Sequence, residues 1–275
     1  MKLFLLISIF GLLNACKVSQ PVNISSMKFA NNQVIAHRGA WKNKSLPQNS
    51  IASLKAAIAL GCAGSETDVH MTADSMLVIN HDPVWGDLNV QESTLAELRK
   101  AKLSNGELLP QLDDFLKIIR QQSATKLILE IKPSEKGSAW ANATVQKVIT
   151  MVHETKTQPW IVYISFDYGM LKEVLRLEPS ANVQYLNGDK TPEQLKQDGI
   201  KGADYHYSVF QKHPEWIQSA RENNIELNAW TVNEEKKMNW LLANDLILSQ
   251  PMNLNYYSIR LKNQKRLRHK IIKNK

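Results

Sequence analysis

The sequence predicts a single (β/α)8 barrel, or TIM barrel, in the α/β fold class. Between residues 33 and 255, short apolar runs of strand length alternate with longer helical patterns. Eight such strands alternating with helices are typical of a closed barrel of parallel strands. No internal repeat, low-complexity segment or linker in the sequence divides this stretch. The alternative architecture for the same alternation is an open doubly wound sheet.

The predicted strands are short apolar runs, several of them rich in β-branched and aromatic residues. In chain order they are Val34–His37, Glu66–Met71, Lys126–Lys132, Ile161–Phe166, Val183–Leu186, Ala203–Tyr207, Ile225–Thr231 and Leu246–Ser249. The predicted helices between them lie near Ser50–Leu60, Leu112–Gln121, Ser138–Thr155, Gly169–Leu177, Pro192–Gln197, Pro214–Asn223 and Glu234–Ala243. Thr191 and Pro192 form a helix start, and Gly61 is a stop signal after the first helix.

The connection between the second and third strands is the longest. It holds an extra strand over Met76–Ile79, then His81, a helical piece near Thr94–Lys102 and a turn at Asn105 and Gly106. Loops after barrel strands build the active face of such a fold. A long loop that carries a histidine therefore indicates function.

The first 15 residues are predicted to be an export signal. Lys2 supplies positive charge, and the apolar run Leu3–Leu13 is too short to span a bilayer. The segment ending at Cys16 resembles a bacterial lipoprotein processing site. This resemblance implies lipid on Cys16 and a membrane-anchored protein of the cell envelope, on the periplasmic or outer surface. The alternative is a plain secretory signal. Residues 16–32 are polar and aperiodic and are predicted to form a tether.

Charge and cysteine content restrict the function further. The formal net charge is +8, and residues 260–275 alone carry eight Lys or Arg and no acid. The barrel is therefore close to neutral, which argues against a nucleic-acid-binding surface. We interpret residues 256–275 as a basic tail, either solvated or attracted to anionic lipid headgroups. If Cys16 carries lipid, Cys62 has no disulfide partner and is expected to be buried near the end of the first helix.

Three carboxylates at strand ends predict a metal site. Glu66 and Asp68 are two residues apart, so a strand directs both to one face, where like charges require a cation or a shared proton. Glu130 lies in an apolar strand, where a lone carboxylate needs a partner. Three acids without a nearby thiolate or imidazole cluster favour Ca²⁺ or Mg²⁺ over Zn²⁺.

Two histidines and two cations complete the predicted site. His37 is predicted to be the base and His81 the general acid that protonates the departing alcohol. Arg38 and Lys132 suit the oxygens of a phosphate group. Trp230 shares a strand face with Asn228, and the pattern allows it either to fill the barrel or to form a wall of the substrate pocket.

These residues resemble the signature of the glycerophosphodiester phosphodiesterase family. The motifs that carry the resemblance span roughly residues 33 to 252. They are His37-Arg38-Gly39, Leu46-Pro-Gln-Asn-Ser50, Glu66-Thr-Asp68, His81-Asp82, Leu109-Pro-Gln-Leu112, Leu129-Glu-Ile-Lys-Pro133, Ser165-Phe166 and Ala229-Trp-Thr-Val-Asn233. The resemblance implies the same catalytic and metal-binding roles for the histidines and the three acids. The family usually has Glu where this chain has Gln48.

The resemblance implies a metal-dependent phosphodiesterase that converts glycerophosphodiesters to an alcohol and glycerol 3-phosphate. Two alternatives stay open. One is a lysophospholipase D-like or phosphatidylinositol phospholipase C-like activity on intact lipids, which would need an apolar lip beside the barrel mouth. The other is a non-catalytic lipoprotein that binds phosphorylated ligands, for which Gln48 is the only support.

Overall fold

Eight parallel strands form the centre of the computed structural model, which describes residues 27–232 and 234–250. The described part of the chain contains eleven strands. They are β1 (Val34–Ala36), β2 (Gly64–Met71), β3 (Leu77–Ile79), β4 (Val84–Trp85), β5 (Leu88–Asn89), β6 (Lys126–Ile131), β7 (Ile161–Ser165), β8 (Val183–Tyr185), β9 (Gly202–His206), β10 (Glu226–Trp230) and β11 (Ile247–Gln250).

The strand pairing closes the sheet. The parallel order runs β1-β11-β10-β9-β8-β7-β6-β2, and β1 also pairs with β2 through Ile35 and Gly64. Each of the eight strands therefore has two parallel neighbours, which is the arrangement of a (β/α)8 barrel. The predicted fold class is confirmed, and the open doubly wound alternative is wrong.

Nine α-helices are present in the described ranges, most of them packed around the barrel. They are α1 (Ile51–Ala59), α2 (Leu95–Leu98), α3 (Leu112–Ile119), α4 (Ser138–Glu154), α5 (Tyr168–Leu177), α6 (Pro192–Gln197), α7 (Tyr207–Lys212), α8 (Glu215–Asn223) and α9 (Glu235–Ala243). The same ranges contain two short 3-10 helices, Lys42–Lys44 and Gln158–Trp160. None of the helices between residues 27 and 250 that the structure describes is long and apolar enough to cross a membrane.

Alternation along the strands separates two apolar layers. On β6, Leu127, Leu129 and Ile131 belong to the large core between strands and helices. Ile128 belongs instead to a smaller cluster inside the barrel, with Ile35, Val162, Ile164 and Leu186. Because side chains of a strand alternate between faces, Glu130 shares the inward face of Ile128. A buried apolar strand thus directs one acid into the barrel.

The long connection after β2 folds onto the barrel mouth. Strand β3 runs antiparallel to β2, with Val69 opposite Ile79. Beyond it, β4 and β5 form a small hairpin that the sequence did not predict. Indole Nε1 of Trp85 donates to the carbonyl oxygen of Leu98 at 2.9 Å, which ties this hairpin to α2. His81 lies between β3 and the hairpin, in a turn where Nδ2 of the preceding Asn80 donates to the carbonyl oxygens of Asp82 and Val84.

Two other predictions are decided by packing. The predicted sixth strand includes Tyr207, but the strand ends at His206 and α7 begins at Tyr207. The ring of Phe210 stacks on Tyr205 with 5.9 Å between centroids, so burial of Phe210 favours a helix at this point. Cys62 is buried as predicted, and burial raises the pKa of its thiol to about 12.

Several predictions lie outside the described residues. The export signal, the lipid on Cys16, most of the tether and the basic tail of residues 256–275 belong to this group. They stay predictions.

Candidate active site

A pocket of about 120 Å³ opens at the carboxyl ends of the parallel strands. This is the end at which TIM-barrel enzymes carry their active sites. The pocket is lined by His37, Arg38, Glu66, His81, Glu130, Lys132, Ile164, Phe166, Leu186, Asp204, Trp230 and Thr231. All but one of the predicted site residues in the described ranges line it. The exception, Asp68, is buried directly behind the wall.

Glu66, Asp68 and Glu130 form one acidic cluster. Each offers a carboxylate oxygen, and these three oxygens lie within 4.8 Å of one another. The shared inward face of Glu66 and Asp68 follows from the two-residue period of β2. The third acid joins them because the parallel register places Glu130 opposite Asp68. All three side chains are buried.

The cluster carries more negative charge than it can neutralise by itself. Burial, with repulsion from Asp68, raises the pKa of Glu130 to about 7 and that of Glu66 well above its usual range. Burial also opposes ionisation of Asp68, but the nearby Lys132 ammonium and other polar neighbours hold its pKa below the usual value. Carboxylates so arranged favour either a shared proton or a bound cation.

The residues present fit a hard divalent cation. Oε1 of Glu66 is buried and has no hydrogen-bond partner within the described ranges. An orphaned carboxylate oxygen beside two further carboxylates is the donor set that Ca²⁺ and Mg²⁺ prefer. The structure therefore supports the predicted ligand set without choosing between the two ions.

Lys132 contacts the acidic cluster directly. Its Nζ lies 2.8 Å from Oε1 of Glu130 and 3.2 Å from Oδ1 of Asp68. The side chain is mostly buried, and these two carboxylates raise the pKa of the ammonium despite burial. Lys132 therefore stays charged at the edge of the pocket.

The turn after β1 is held against β2 and α1. Arg38 has a positive φ of 56°, a conformation that a non-glycine residue seldom adopts. Its backbone N–H donates to Oε2 of Glu66 at 2.7 Å, and its carbonyl oxygen accepts from Oγ of Ser53 at 3.1 Å. At Gly39, φ is +80° and an added Cβ would overlap Ser53. The close packing of this turn on α1 thus requires glycine.

Gln48 contacts the guanidinium group and not the acidic cluster. Nη1 of Arg38 donates to Oε1 of Gln48 at 2.9 Å, while Nε of Arg38 lies 3.9 Å from Oδ2 of Asp68. The amide oxygen of Gln48 takes the place that a carboxylate oxygen would take in Glu. Gln48 therefore positions Arg38 at the pocket.

Asn49 is a supporting residue that sequence reasoning missed. Its Nδ2 donates to Oδ2 of Asp68 at 2.8 Å, and its Oδ1 accepts from Oγ1 of Thr67 at 2.9 Å. Asn49 has a φ of 54°, which Asn tolerates better than most residues. Its position between Gln48 and the N-cap residue Ser50 was the available signal, since this motif belongs to the resemblance.

The two histidines lie on separate segments at the mouth. Nε2 of His37 lies 3.8 Å from Oε2 of Glu66, and burial with the neighbouring Arg38 lowers the pKa of His37 to about 4. A neutral imidazole is the form that accepts a proton. Nδ1 of His81 lies 2.7 Å from Oδ1 of Asp82. The buried ring of His70 lies below, with Nε2 3.4 Å from the carbonyl oxygen of His81.

The other half of the pocket is mostly apolar. Its wall carries Ile164, Phe166, Leu186 and Trp230, from the ends of β7, β8 and β10. Phe166 meets Trp230 edge to face, with ring centroids 5.7 Å apart. Trp230 thus forms part of the pocket wall, one of the two placements that the sequence left open. Asp204 of β9 also lines this half, and sequence reasoning did not identify it.

The fold and the pocket define a class of protein. It is a TIM barrel with an acidic cluster, two imidazoles and two cations at the carboxyl ends of its strands. The profile of the glycerophosphoryl diester phosphodiesterase family matches residues 37–246. The chain belongs to this family. The resemblance inferred from the motifs is confirmed, and so is the prediction that the protein is an enzyme.

One curated relative and two solved structures support the same family. A glycerophosphodiester phosphodiesterase of Caldanaerobacter subterraneus is 27% identical over 221 residues, which are 74% of this chain and 87% of the relative. A crystal structure of a glycerophosphodiester phosphodiesterase from Parabacteroides distasonis is 36% identical, covers 86% of this chain and 99% of its own, and superposes with a TM-score of 0.81. An Oleispira antarctica phosphodiesterase in complex with the product sn-glycerol-3-phosphate is 25% identical, covers 80% and 93%, and has a TM-score of 0.69.

Proposed function

We propose that this protein is a divalent-metal-dependent phosphodiesterase that hydrolyses glycerophosphodiesters to an alcohol and glycerol 3-phosphate. The observation that carries the proposal is the acidic cluster of Glu66, Asp68 and Glu130 in one small pocket with two histidines and two cations. The product complex of the Oleispira antarctica relative supports the choice of substrate class.

Glu66, Asp68 and Glu130 would hold the metal. When bound, such an ion polarises the phosphoryl oxygens and stabilises negative charge that develops on them. Oε2 of Glu66 already accepts from the backbone of Arg38, so Oε1 is left for the ion. Nδ2 of Asn49 likewise donates to Oδ2 of Asp68 and so fixes that carboxylate.

Arg38 and Lys132 bind the phosphate group from the same half of the pocket. The Arg38 fork is held by Gln48, and Lys132 is held by the carboxylates of Asp68 and Glu130. Both side chains line the pocket. Cations fixed before the reaction stabilise a developing charge without reorganising in the transition state.

His37 accepts the proton of the attacking hydroxyl group, and His81 protonates the departing alcohol. The burial of His37 beside Arg38 keeps its imidazole neutral near pH 7, as a base requires. His81 is partly exposed at the mouth, and Asp82 orients it through Nδ1. The attacking hydroxyl group is either that of the glycerol carbon next to the phosphate-bearing carbon, which gives a cyclic phosphate that water then opens, or that of water itself. His37 serves both routes.

The pocket favours a water-soluble diester over an intact lipid. Its volume of about 120 Å³ suits a glycerol-sized group. The exposed apolar side chains nearest to His81 in sequence, Val84 and Leu88, belong to the two-residue strands of the β4–β5 hairpin. Such a short hairpin is a poor cover for an acyl chain.

Purified protein tests the proposal directly. Release of alcohol from glycerophosphocholine, glycerophosphoethanolamine and glycerophosphoglycerol would be measured with Ca²⁺ or with Mg²⁺. We expect turnover of at least one diester with glycerol 3-phosphate as the second product. Inorganic phosphate as the first product, or no turnover of any of the three, would contradict the proposal.

We expect Gln48→Glu to change the activity by less than about tenfold. The carboxylate would keep the contact with Arg38 and add one negative charge near the site, which should tighten metal binding modestly. Calorimetric titration with Ca²⁺ and steady-state kinetics on both proteins check this expectation. An inert wild type beside an active Gln48→Glu variant would instead favour the non-catalytic, ligand-binding alternative.

We also propose that lipid on Cys16 anchors the protein to a membrane of the bacterial cell envelope. The support is the short apolar run ending at Ala15 and Cys16. Cys16→Ser is expected to move the protein from the membrane fraction to the soluble fraction, with the activity per molecule unchanged. Fractionation followed by immunoblotting and an activity assay checks this. A variant that stays on the membrane until high salt removes it would point to the basic tail as the anchor.

A further inference from the structure

Asp204 is a buried acid that the mechanism above does not use. It lies on β9 and is 2% exposed, yet it lines the pocket. Its Oδ1 atom has no hydrogen-bond partner in the part of the chain that the structure describes. A buried carboxyl group without a partner is costly, so this atom is expected to meet a polar group of a ligand.

The surroundings of Asp204 make it the one ionisable group of its half of the pocket, within the described residues. From the described ends of β7 to β10, the other lining side chains are Ile164, Phe166, Leu186, Trp230 and Thr231, and none of them is ionisable. A mostly apolar wall with few polar groups orients a small ligand through those groups. An aliphatic carbon chain with one hydroxyl group matches this wall.

The backbone that carries the Asp204 carboxyl group is held by its neighbours. The indole Nε1 of Trp230 donates to the backbone carbonyl oxygen of Asp204 at 2.8 Å. Trp230 is in turn held by the edge of Phe166. A polar group on a backbone held in this way can bond a ligand with little loss of conformational entropy.

The phosphate group of a glycerophosphodiester belongs to the part of the pocket where Arg38, Lys132 and the acidic cluster lie. Asp204 borders this part, since burial and the nearby Glu130 carboxylate together raise the pKa of Asp204. The middle hydroxyl group of glycerol is next to the carbon that carries the phosphate and stays near that part of the pocket. The terminal hydroxyl group is one carbon further away. In a pocket of about 120 Å³, it is the group that reaches the apolar wall and its single acid.

We propose that Asp204 binds the terminal hydroxyl group of the glycerol moiety and makes the enzyme select glycerol over alcohols that lack this hydroxyl. The inference rests on the proposed function and adds a specificity-determining residue to it. It holds for either protonation state, because a carboxylate accepts from a hydroxyl group and a carboxylic acid can donate to it. Asp204 lies outside the cluster of three acids that could hold the metal.

Two matched substrates test the inference. One is glycerophosphocholine, and the other is 2-hydroxypropyl phosphocholine, which keeps the middle hydroxyl group and lacks the terminal one. Asp204→Ala is expected to lower kcat/KM for glycerophosphocholine by about 10- to 100-fold, the loss of a hydrogen bond to a buried acid. The same change should alter kcat/KM for the second substrate by less than about threefold.

Asp204→Asn separates hydrogen bonding from packing. Asn has nearly the shape of Asp and can still bond a hydroxyl group, so it should restore most of the preference for glycerophosphocholine. The control is Asp113→Ala, which removes a surface acid that pairs with Lys117 outside the pocket. It should leave both substrates unaffected. Equal losses on both substrates in Asp204→Ala would overturn the inference.

Binding measurements separate this inference from the proposed function. Titration calorimetry would compare glycerol 3-phosphate with propane-1,2-diol 1-phosphate, which lacks the terminal hydroxyl group. Selective weakening of glycerol 3-phosphate in Asp204→Ala supports the role of Asp204 even if the wild type turns over no diester. Equal affinities in wild type and variant overturn it even if the enzyme is active. A loss of Ca²⁺ affinity in Asp204→Ala would also overturn it, because it would make Asp204 a metal ligand.

Discussion

Chelation of divalent cations is expected to abolish turnover of glycerophosphodiesters, by at least about 10³-fold. Stabilisation of phosphoryl charge by a metal is worth several kcal/mol, and each 1.36 kcal/mol is a factor of ten in rate. The acids of the cluster are buried next to one another, and Lys132 contacts only two of them. Without an ion, the cluster is therefore only partly balanced at the place where an anionic substrate must bind. The assay is turnover before and after exhaustive dialysis against EDTA, followed by addition of Ca²⁺ or Mg²⁺.

The ligand assignment has its own variant and control. Glu130→Gln should weaken Ca²⁺ binding and lower turnover together, with partial recovery at high Ca²⁺ concentration. Glu173→Gln is the matched control, because Glu173 pairs with Arg176 on α5 and does not line the pocket. Full activity in EDTA-treated protein that elemental analysis shows to be metal-free would make the metal assignment wrong.

The second large effect is expected at His81. His81→Ala should lower turnover of glycerophosphocholine by on the order of 10²–10⁴-fold, the usual contribution of a positioned acid. A substrate that releases nitrophenolate needs little protonation of its leaving group, so it should lose far less. Affinity for Ca²⁺ should not change, since His81 is not one of the three acids of the cluster.

His153→Ala is the control for this experiment. His153 lies on α4, is exposed and contacts Glu178, so its loss should leave both substrates unaffected. Equal losses on the choline and nitrophenyl substrates in His81→Ala would count against a general acid. They would instead place His81 in substrate binding or in the support of the loop after β3.

Local patterns in the sequence were sufficient for the fold and for most of the site. The two-residue period of a strand puts Glu66 and Asp68 on one face without any knowledge of the barrel. The alternation of strands and helices predicts parallel strands whose carboxyl ends meet at one edge, and the pairing of β1 with β2 closes them into a barrel. His37 and Lys132 directly follow β1 and β6, and Glu130 lies near the end of β6, so their arrival at one pocket could be predicted.

The residues that sequence reasoning missed depend on pairing between distant segments. Asp204 lies in a strand that is buried on both faces, and its role follows only from the pocket formed by strands distant in sequence. Asn49 is recognised through its bond to Asp68, 19 residues away. Gln48 could be compared with the family motif, but its contact with Arg38 depends on the close packing of the turn after β1 on α1.

One physical reason explains why some of these features could be predicted from the sequence and others could not. The residues a few positions away decide which face a side chain takes and where a strand or helix begins. The local sequence therefore contains that information. Which two strands pair, in what register and around what pocket depends on how the whole chain closes. The sequence alone therefore determined a barrel with acids, imidazoles and cations at its strand ends. Only the tertiary structure decided that Glu130 lies opposite Asp68, that Gln48 holds Arg38 and that Asp204 faces the pocket unpaired.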